Sequence, residues 1–181
     1  MQDFYHTSSN EVSLEVFCLS VFVDRILIKM TRTTELLKFY LKENTNLSSE
    51  KIDEIVPTGY ERSQSSDIEI DGYDSIGSGP GVTKEDARKM RNIADEFNEQ
   101  WKKPIQGIVS DYTDASEHGS STSLKSMLNT YFQQNQLMSD DDKKTAFAFK
   151  ILADITTCVV NSEYVKNAAR DVCELVDGYS M

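Results

Sequence analysis

The 181-residue sequence predicts an all-α protein of about seven or eight helices. Apolar residues recur at intervals of three and four along most of the chain, which is the period of a helix with one buried face. One stretch, residues 145–160, is apolar on nearly every side, as is typical of the central helix of a bundle. No strand pattern is convincing after residue 57. A chain of this length can bury the core of one domain.

The N-terminal region carries the first helical patterns. Within residues 11–30 the apolar positions are separated by four, three, four and three residues, at Val12, Val16, Leu19, Val23 and Ile26. Apolar residues also alternate between positions 12 and 18, so a strand stays open as an alternative there. A turn or two of helix is expected over 52–56, before Pro57. Between these segments a short helical face is formed by Leu36, Leu37, Tyr40 and Leu41.

The helical pattern stops between residues 57 and 82. This stretch is rich in serine, aspartate and glutamate and contains Gly59, Gly72, Gly77, Gly79, Pro80 and Gly81. We expect a flexible loop here, which separates an N-terminal helical unit (1–56) from a larger helical unit (83–181). Long loops without secondary structure are uncommon inside compact domains and usually have a function.

A helix start follows the loop at Thr83. Asp86 lies three residues later, which matches a capping box with aspartate in place of the usual glutamate or glutamine. We expect this helix to run to Lys103 and to stop there, because a proline inside a helix removes a hydrogen bond. Pro104 then suits the first position of the next helix, whose apolar face is Ile105, Ile108, Val109 and Tyr112.

Three further helices complete the predicted bundle. After a Ser/Gly-rich loop at 116–123, a helical face is formed by Leu124, Met127, Leu128, Tyr131 and Phe132. Ser139 and the aspartates at 140–142 place a cap and negative charge at the start of the central helix. The last face is Val165, Ala168, Ala169, Val172 and Val176.

Charge and composition exclude several classes of protein. The net charge of −11 argues against nucleic acid as a partner and against tight resting attachment to anionic lipid. The apolar run at 16–23 lacks the basic flank of a signal peptide, and no run reaches the roughly 20 residues of a membrane-spanning helix. We therefore expect a cytoplasmic protein. In that reducing compartment, buried free thiols are expected at Cys18, Cys158 and Cys173.

No constellation of catalytic residues is recognisable. The two histidines, His6 and His118, lie in polar stretches, without a nucleophile–base pair, a metal-ligand spacing or a phosphate-binding loop. The aspartates at 140–142 suit a metal site in composition, but a helix cap explains them more simply. We expect neither an enzyme nor a bound metal or cofactor.

The segment after Thr83 has an unusual combination of residues on one helical face. Met90, Ile93, Phe97 and Trp101 fall at offsets 0, 3, 7 and 11, and an alanine and an aspartate lie between these anchors. Such a helix can lay its apolar side into a groove on a partner. The small residue lets the helix backbone approach the groove, and the aspartate can pair with an arginine. On spacing alone, an ordinary core helix is the alternative.

Residues 90–98, Met-x-x-Ile-Ala-Asp-Glu-Phe-Asn, resemble the BH3 motif of the Bcl-2 superfamily. The resemblance assigns the apolar anchors to Met90, Ile93 and Phe97. It assigns the small position to Ala94 and the acidic position to Asp95. The sequence departs from the motif at two positions. Asp86 stands where a further apolar anchor is usual, and the small residue is alanine rather than the commoner glycine.

A second short motif lies inside the predicted loop. The sequence Ile68-Glu69-Ile70-Asp71-Gly72 is similar to the preferred cleavage sequence of initiator caspases, and granzyme B accepts a similar one. These proteases need an aspartate before the cut, a glutamate two residues upstream, a branched apolar residue before that and a small residue after the cut. They also need an accessible, extended chain, which loops supply.

The order of segments is similar to that of the death agonists of this superfamily that proteolysis activates. The resemblance implies a Bcl-2-like bundle around the central hydrophobic helix, with the flexible loop between the second helix and the BH3 helix. It also implies cleavage after Asp71, so that fragment 72–181 moves from the cytoplasm to the mitochondrial outer membrane. There the BH3 helix would engage Bax, Bak or antiapoptotic relatives and promote cytochrome c release.

Two further details of the resemblance concern the first residue of the released fragment and the last helix of the family. It implies myristoylation of the new N-terminal Gly72, although the acceptor pattern wants serine or threonine four residues later, where this chain has Ile76. Only five residues follow Val176, so the last helix of the family is short or absent.

Two other interpretations compete with this one. An antiapoptotic or viral Bcl-2-like groove protein usually carries Asn-Trp-Gly-Arg at the start of its central helix, but this chain has a single tryptophan, Trp101, and no glycine between Gly119 and Gly178. A helical scaffold without a role in cell death predicts that a change of Asp95 alters neither partner binding nor death.

Overall fold

The computed structural model describes residues 32–56 and 81–179, and within these ranges every regular element is helical. A three-residue 3-10 turn, Gln136–Met138, comes before the sixth α-helix. The α-helices of the described part are α1 (32–44), α2 (Ser49–Ile55), α3 (Lys84–Glu96), α4 (Asn98–Glu117), α5 (Leu124–Gln134), α6 (Asp141–Cys158) and α7 (Ser162–Gly178). The all-α prediction is confirmed here, whereas the helix expected over 11–30 and residues 57–80 of the loop expected over 57–82 lie outside the described residues.

The central helix is α6, as the sequence predicted. It packs against α3, α4 and α7, and its buried residues are Thr145, Ala146, Phe147, Ala148, Phe149, Ile151, Leu152, Ala153 and Ile155. Burial of each large apolar side chain contributes about 1.5–3 kcal/mol. The cap of α6 is Asp140 rather than Ser139, because its carboxylate accepts hydrogen bonds from the backbone N–H groups of Asp142 (2.8 Å) and Lys143 (3.4 Å).

An aromatic cluster around Phe147 joins α4, α5 and α6. The ring of Phe147 is fully buried, and Tyr131 stacks on it at a centroid distance of 4.8 Å. Trp101 meets the same ring edge-on at 5.2 Å, and Phe132 approaches it at 5.8 Å. Three helices therefore depend on one side chain of α6 for their mutual packing.

The two short helices before α3 lie against the same bundle. Leu37, Tyr40 and Leu41 are fully buried or nearly so, which confirms the face predicted for α1. The Tyr40 ring lies 5.4 Å from that of Phe149 in α6. The helix expected over 52–56 is α2, which packs against α7 and is capped by Ser48, whose hydroxyl accepts a hydrogen bond from the backbone N–H of Lys51.

The faces predicted for α5 and α7 are confirmed too. Both helices turn their apolar residues inward, with Met127, Tyr131, Phe132 and Val176 half-buried and the others buried. Asp171 of α7 also fixes the start of α5, because its Oδ2 accepts hydrogen bonds from the Ser123 hydroxyl (2.9 Å) and the Lys125 backbone N–H (3.1 Å).

The expected single helix from 84 to 103 is wrong. α3 ends at Glu96, and Phe97 (φ −98°, ψ 6°) separates it from α4. The carbonyl of Phe97 accepts hydrogen bonds from the next turn, including one of 2.9 Å from the N–H of Trp101. The physical reason for the break is tertiary, since Trp101 in the first turn of α4 is 4% exposed and packs against Phe147.

Pro104 neither ends a helix nor begins one. It lies in the second turn of α4, where its missing N–H leaves the carbonyl of Gln100 without the usual helical donor. Gln100 is an exposed residue, so solvent can hydrate this turn. The packing of Trp101 and Ile105 on either side of Pro104 outweighs the local preference.

The prediction of buried thiols is half right within the described residues. Cys173 is buried, and burial raises the pKa of its thiol to about 12. Cys158, the last residue of α6, is exposed, although the next residue, Val159, is buried. Cys18 lies outside the described residues.

Truncation of the central aromatic ring tests this packing. Phe147→Ala should lower the free energy of unfolding by about 3–5 kcal/mol, because it leaves a cavity that three helices line. Val160→Ala is the matched control and should change stability by less than about 0.5 kcal/mol. Urea unfolding followed by circular dichroism measures both changes. A loss below about 1 kcal/mol for Phe147→Ala would contradict the described core.

Candidate functional site

The candidate site is the BH3-like helix α3, which starts at a confirmed capping pair. Oδ2 of Asp86 accepts hydrogen bonds from the backbone N–H (2.8 Å) and the hydroxyl (3.0 Å) of Thr83. The backbone N–H contributes most to a lowered pKa of the Asp86 carboxyl. Asp86 therefore serves the start of the helix, which explains why the sequence has no apolar anchor at this position.

The inner face of α3 is covered by the bundle. Met90 and Ala94 are 4% and 7% exposed, and α3 packs chiefly against α6. Ile93 and Phe97 are half-buried and also pack against the core. The structure thus brings the apolar and small residues of the motif together on one side of α3, and this side faces inward.

The acidic residue of the motif lies on the opposite side. The side chain of Asp95 is 71% exposed, and its Oδ2 lies 3.6 Å from Nε of Arg91, one turn earlier. A second pair on the same helix joins Arg88 to Glu85 at 3.5 Å. Exposed pairs of this type contribute little to stability. Asp95 is consequently available to a partner without any change in the fold.

Phe97, at the junction of α3 and α4, makes ring contacts with residues of two other helices. Its ring stacks on Trp101 at 5.2 Å. On α6, Nζ of Lys143 lies 4.8 Å from the centre of the Phe97 ring, which is within the range of a cation–π contact. Phe97 therefore connects α3 to both α4 and α6.

Sequence reasoning missed one contact of α3 entirely. Nζ of Lys89 lies 2.5 Å from Oδ2 of Asp142, in the first turn of α6. This hydrogen bond raises the pKa of the Lys89 ammonium group. The two residues are 53 positions apart, and the sequence around Asp142 indicates a helix start rather than a contact with α3. No local pattern in the sequence could have revealed the pair.

This arrangement allows one chemical role for α3 in place and another after its release. In place, Met90 and Ala94 stabilise the core, and the surface offered to solvent is charged. Release from α6 would expose an amphipathic helix that fits an apolar groove. Such local opening has a free energy of its own, which is below that of global unfolding.

The other predicted site residues are not described. The cleavage motif Ile68, Glu69, Ile70, Asp71 and Gly72, with Gly72 as the predicted lipidation site, falls outside the described ranges. Within those ranges, no helix has the length and hydropathy needed to cross a membrane, and no group of three or more candidate ligands could hold a metal ion. Comparisons with protein-family models, with curated proteins and with solved structures find no match.

The capping contact of Asp86 predicts a pH dependence at the start of α3. Because its pKa is lowered in the folded chain, the contact stabilises this turn above the ordinary value of 3.8 and is lost as pH falls through the lower folded value. NMR should therefore show the first turn of α3 loosening under acid. Asp86→Asn should remove that step, and Glu85→Gln should retain it. An identical acid transition in all three proteins would contradict the role of Asp86.

Proposed function

We propose that the chain is a Bid-like death agonist of the Bcl-2 superfamily, in which α3 is a latent BH3 ligand. Proteolysis after Asp71 releases this latency, and fragment 72–181 acts at the mitochondrial outer membrane. There it activates Bax or Bak, or engages antiapoptotic relatives, and promotes cytochrome c release. The observation that supports this proposal best is that α3 carries the motif with its anchor Met90 and its small residue Ala94 buried and with Asp95 in solvent.

The BH3-like helix is latent because α6 and a partner's groove would bind the same face of α3. Met90 and Ala94 cannot contact α6 and a partner's groove at the same time, since both are more than nine-tenths buried. The apparent affinity for a groove is therefore the intrinsic affinity reduced by the fraction of chains with α3 released. Any event that weakens the bundle raises this fraction.

Cleavage after Asp71 would weaken the bundle in a specific way. Packing of α1 on α6 through Tyr40 and Phe149, and of α2 on α7, would then join two separate polypeptides. The two fragments carry net charges of −6 and −5, so they repel each other. Dissociation becomes possible once a membrane or a groove competes for the exposed apolar surface.

Asp71→Ala tests the activation step. The variant should resist an initiator caspase and granzyme B, because both proteases require aspartate before the cut. Asp74→Ala is the matched control in the same stretch and should be cut like the unchanged protein. Cut protein added to isolated mitochondria should release cytochrome c, and uncut protein should not. Absence of release by the cut protein would overturn the proposal.

Asp95→Ala tests the ligand itself. Because Asp95 is exposed, the substitution should change the free energy of unfolding by less than about 0.5 kcal/mol. In cut protein it should weaken binding to a purified antiapoptotic Bcl-2 protein by about 10–100-fold, since a charge-assisted hydrogen bond is lost. Glu96→Ala is the control and should bind normally. Ile93→Ala should cost about 2–4 kcal/mol of binding as a lost anchor, with its stability measured alongside.

Two results of this binding assay would contradict the proposal. Equal binding by the unchanged protein and the Asp95→Ala variant would favour a helical scaffold. Binding of an isolated BH3 peptide by the uncut chain would instead indicate a groove protein.

A further inference from the structure

Two contacts join α3 and Phe97, the residue that ends it, to neighbouring residues at the start of α6. Lys89 donates a hydrogen bond to Asp142, and the ammonium group of Lys143 lies over the ring of Phe97. Lys89 and Phe97 are a little over two helical turns apart. Between them lie the buried residues Met90 and Ala94, and the third buried residue of α3, Ala87, precedes Lys89, so the two contacts flank the C-terminal two thirds of the inner face.

The side of α6 that holds α3 is itself fixed. Asp140 accepts hydrogen bonds from the backbone N–H groups of both Asp142 and Lys143. These two residues therefore belong to a capped first turn, where the helix dipole also favours the negative charge of Asp142. Opening of α3 breaks both contacts, whereas the residues on α6 keep their positions.

We infer that these two contacts form an autoinhibitory latch that sets how often α3 leaves α6. The inference rests on the proposed function, since it concerns the release of the BH3-like face. Burial of Met90 and Ala94 provides most of the free energy that keeps α3 packed on α6, and the latch adds a smaller part. Its side chains at Lys89 and Asp142 are 58% and 49% exposed, so each contact changes the opening of α3 by only about 1.5- to 5-fold.

A latch of this kind responds to ionic strength. The Debye length falls from about 30 Å at 0.01 M salt to about 3 Å at 1 M, so salt weakens exposed charge pairs far more than it weakens apolar burial. Raised salt should increase the opening of α3 in the unchanged protein. The increase should be smaller in a protein without the Lys89 charge.

Hydrogen exchange of the uncut, full-length chain measures the opening of α3 directly. Lys89→Gln, Asp142→Asn and Lys143→Gln should each accelerate exchange in α3 by about 1.5- to 5-fold. The double variant Lys89→Gln/Asp142→Asn should show less than the product of the two single effects. Lys144→Gln is the matched control, since Lys144 pairs with Asp141 within α6 at 3.2 Å and should leave α3 unchanged.

Exchange results can overturn the latch without reference to any partner. Unchanged exchange in α3 for all three variants would do so. An equal acceleration in α7 would also do so, because it would show global destabilisation.

A binding measurement separates the latch from the proposed function. Lys143→Gln lies on α6, so it leaves the sequence of the ligand helix unchanged. In uncut protein it should raise the apparent affinity for an antiapoptotic Bcl-2 protein by the same factor as the exchange rate. Faster exchange with no gain in binding would overturn autoinhibition, whereas the cut protein would still report on the BH3 proposal.

Discussion

Burial of α6 is the constraint on which the rest of the structure depends. Nine of its 18 residues are buried, and a helix that is apolar on nearly every side must be covered all round. α1, α3, α4 and α7 each cover part of it, and Phe147 and Phe149 receive aromatic rings from α1, α4 and α5. The apolar face of α3 points inward for the same reason, because Met90 and Ala94 cover part of the apolar surface of α6.

The burial of α6 also determines the free-energy cost of releasing α3. Removing Met90 from the core costs about 1.5–3 kcal/mol, in addition to the surface of α6 that becomes exposed. The contacts of Lys89 with Asp142 and of Phe97 with Lys143 are weaker, since both charged groups of the ion pair reach solvent. A partner of the proposed kind would therefore compete mainly against apolar burial, and a groove of similar hydrophobicity would offer α3 a comparable environment.

Local rules predicted most helices, and tertiary contacts decided the features they missed. The faces of α5 and α7 and the Thr83–Asp86 pair depend on residues three or four positions apart, so they are visible in the sequence. The break at Phe97 is not, since residues 90–103 keep a helical pattern and the contacts around the break, Trp101 with Phe147 and Phe97 with Lys143, join distant parts of the chain. Lys89 and Asp142 meet only in three dimensions, and the direction of the motif's apolar face could not be read from its spacing.

The break at Phe97 gives α3 a mechanical independence that a continuous helix would lack. As a separate rod of 13 residues, α3 is about 20 Å long and is attached to α4 through one non-helical residue. Rotation about the Cα–C bond of Phe97 would move this rod away from α6 together with the Phe97 ring, so that the contacts of Lys89 and of Phe97 with α6 would both break. Trp101, anchored beyond the pivot against Phe147, would stay in the core. α3 could thus leave the bundle while α4 stays folded and packed in it.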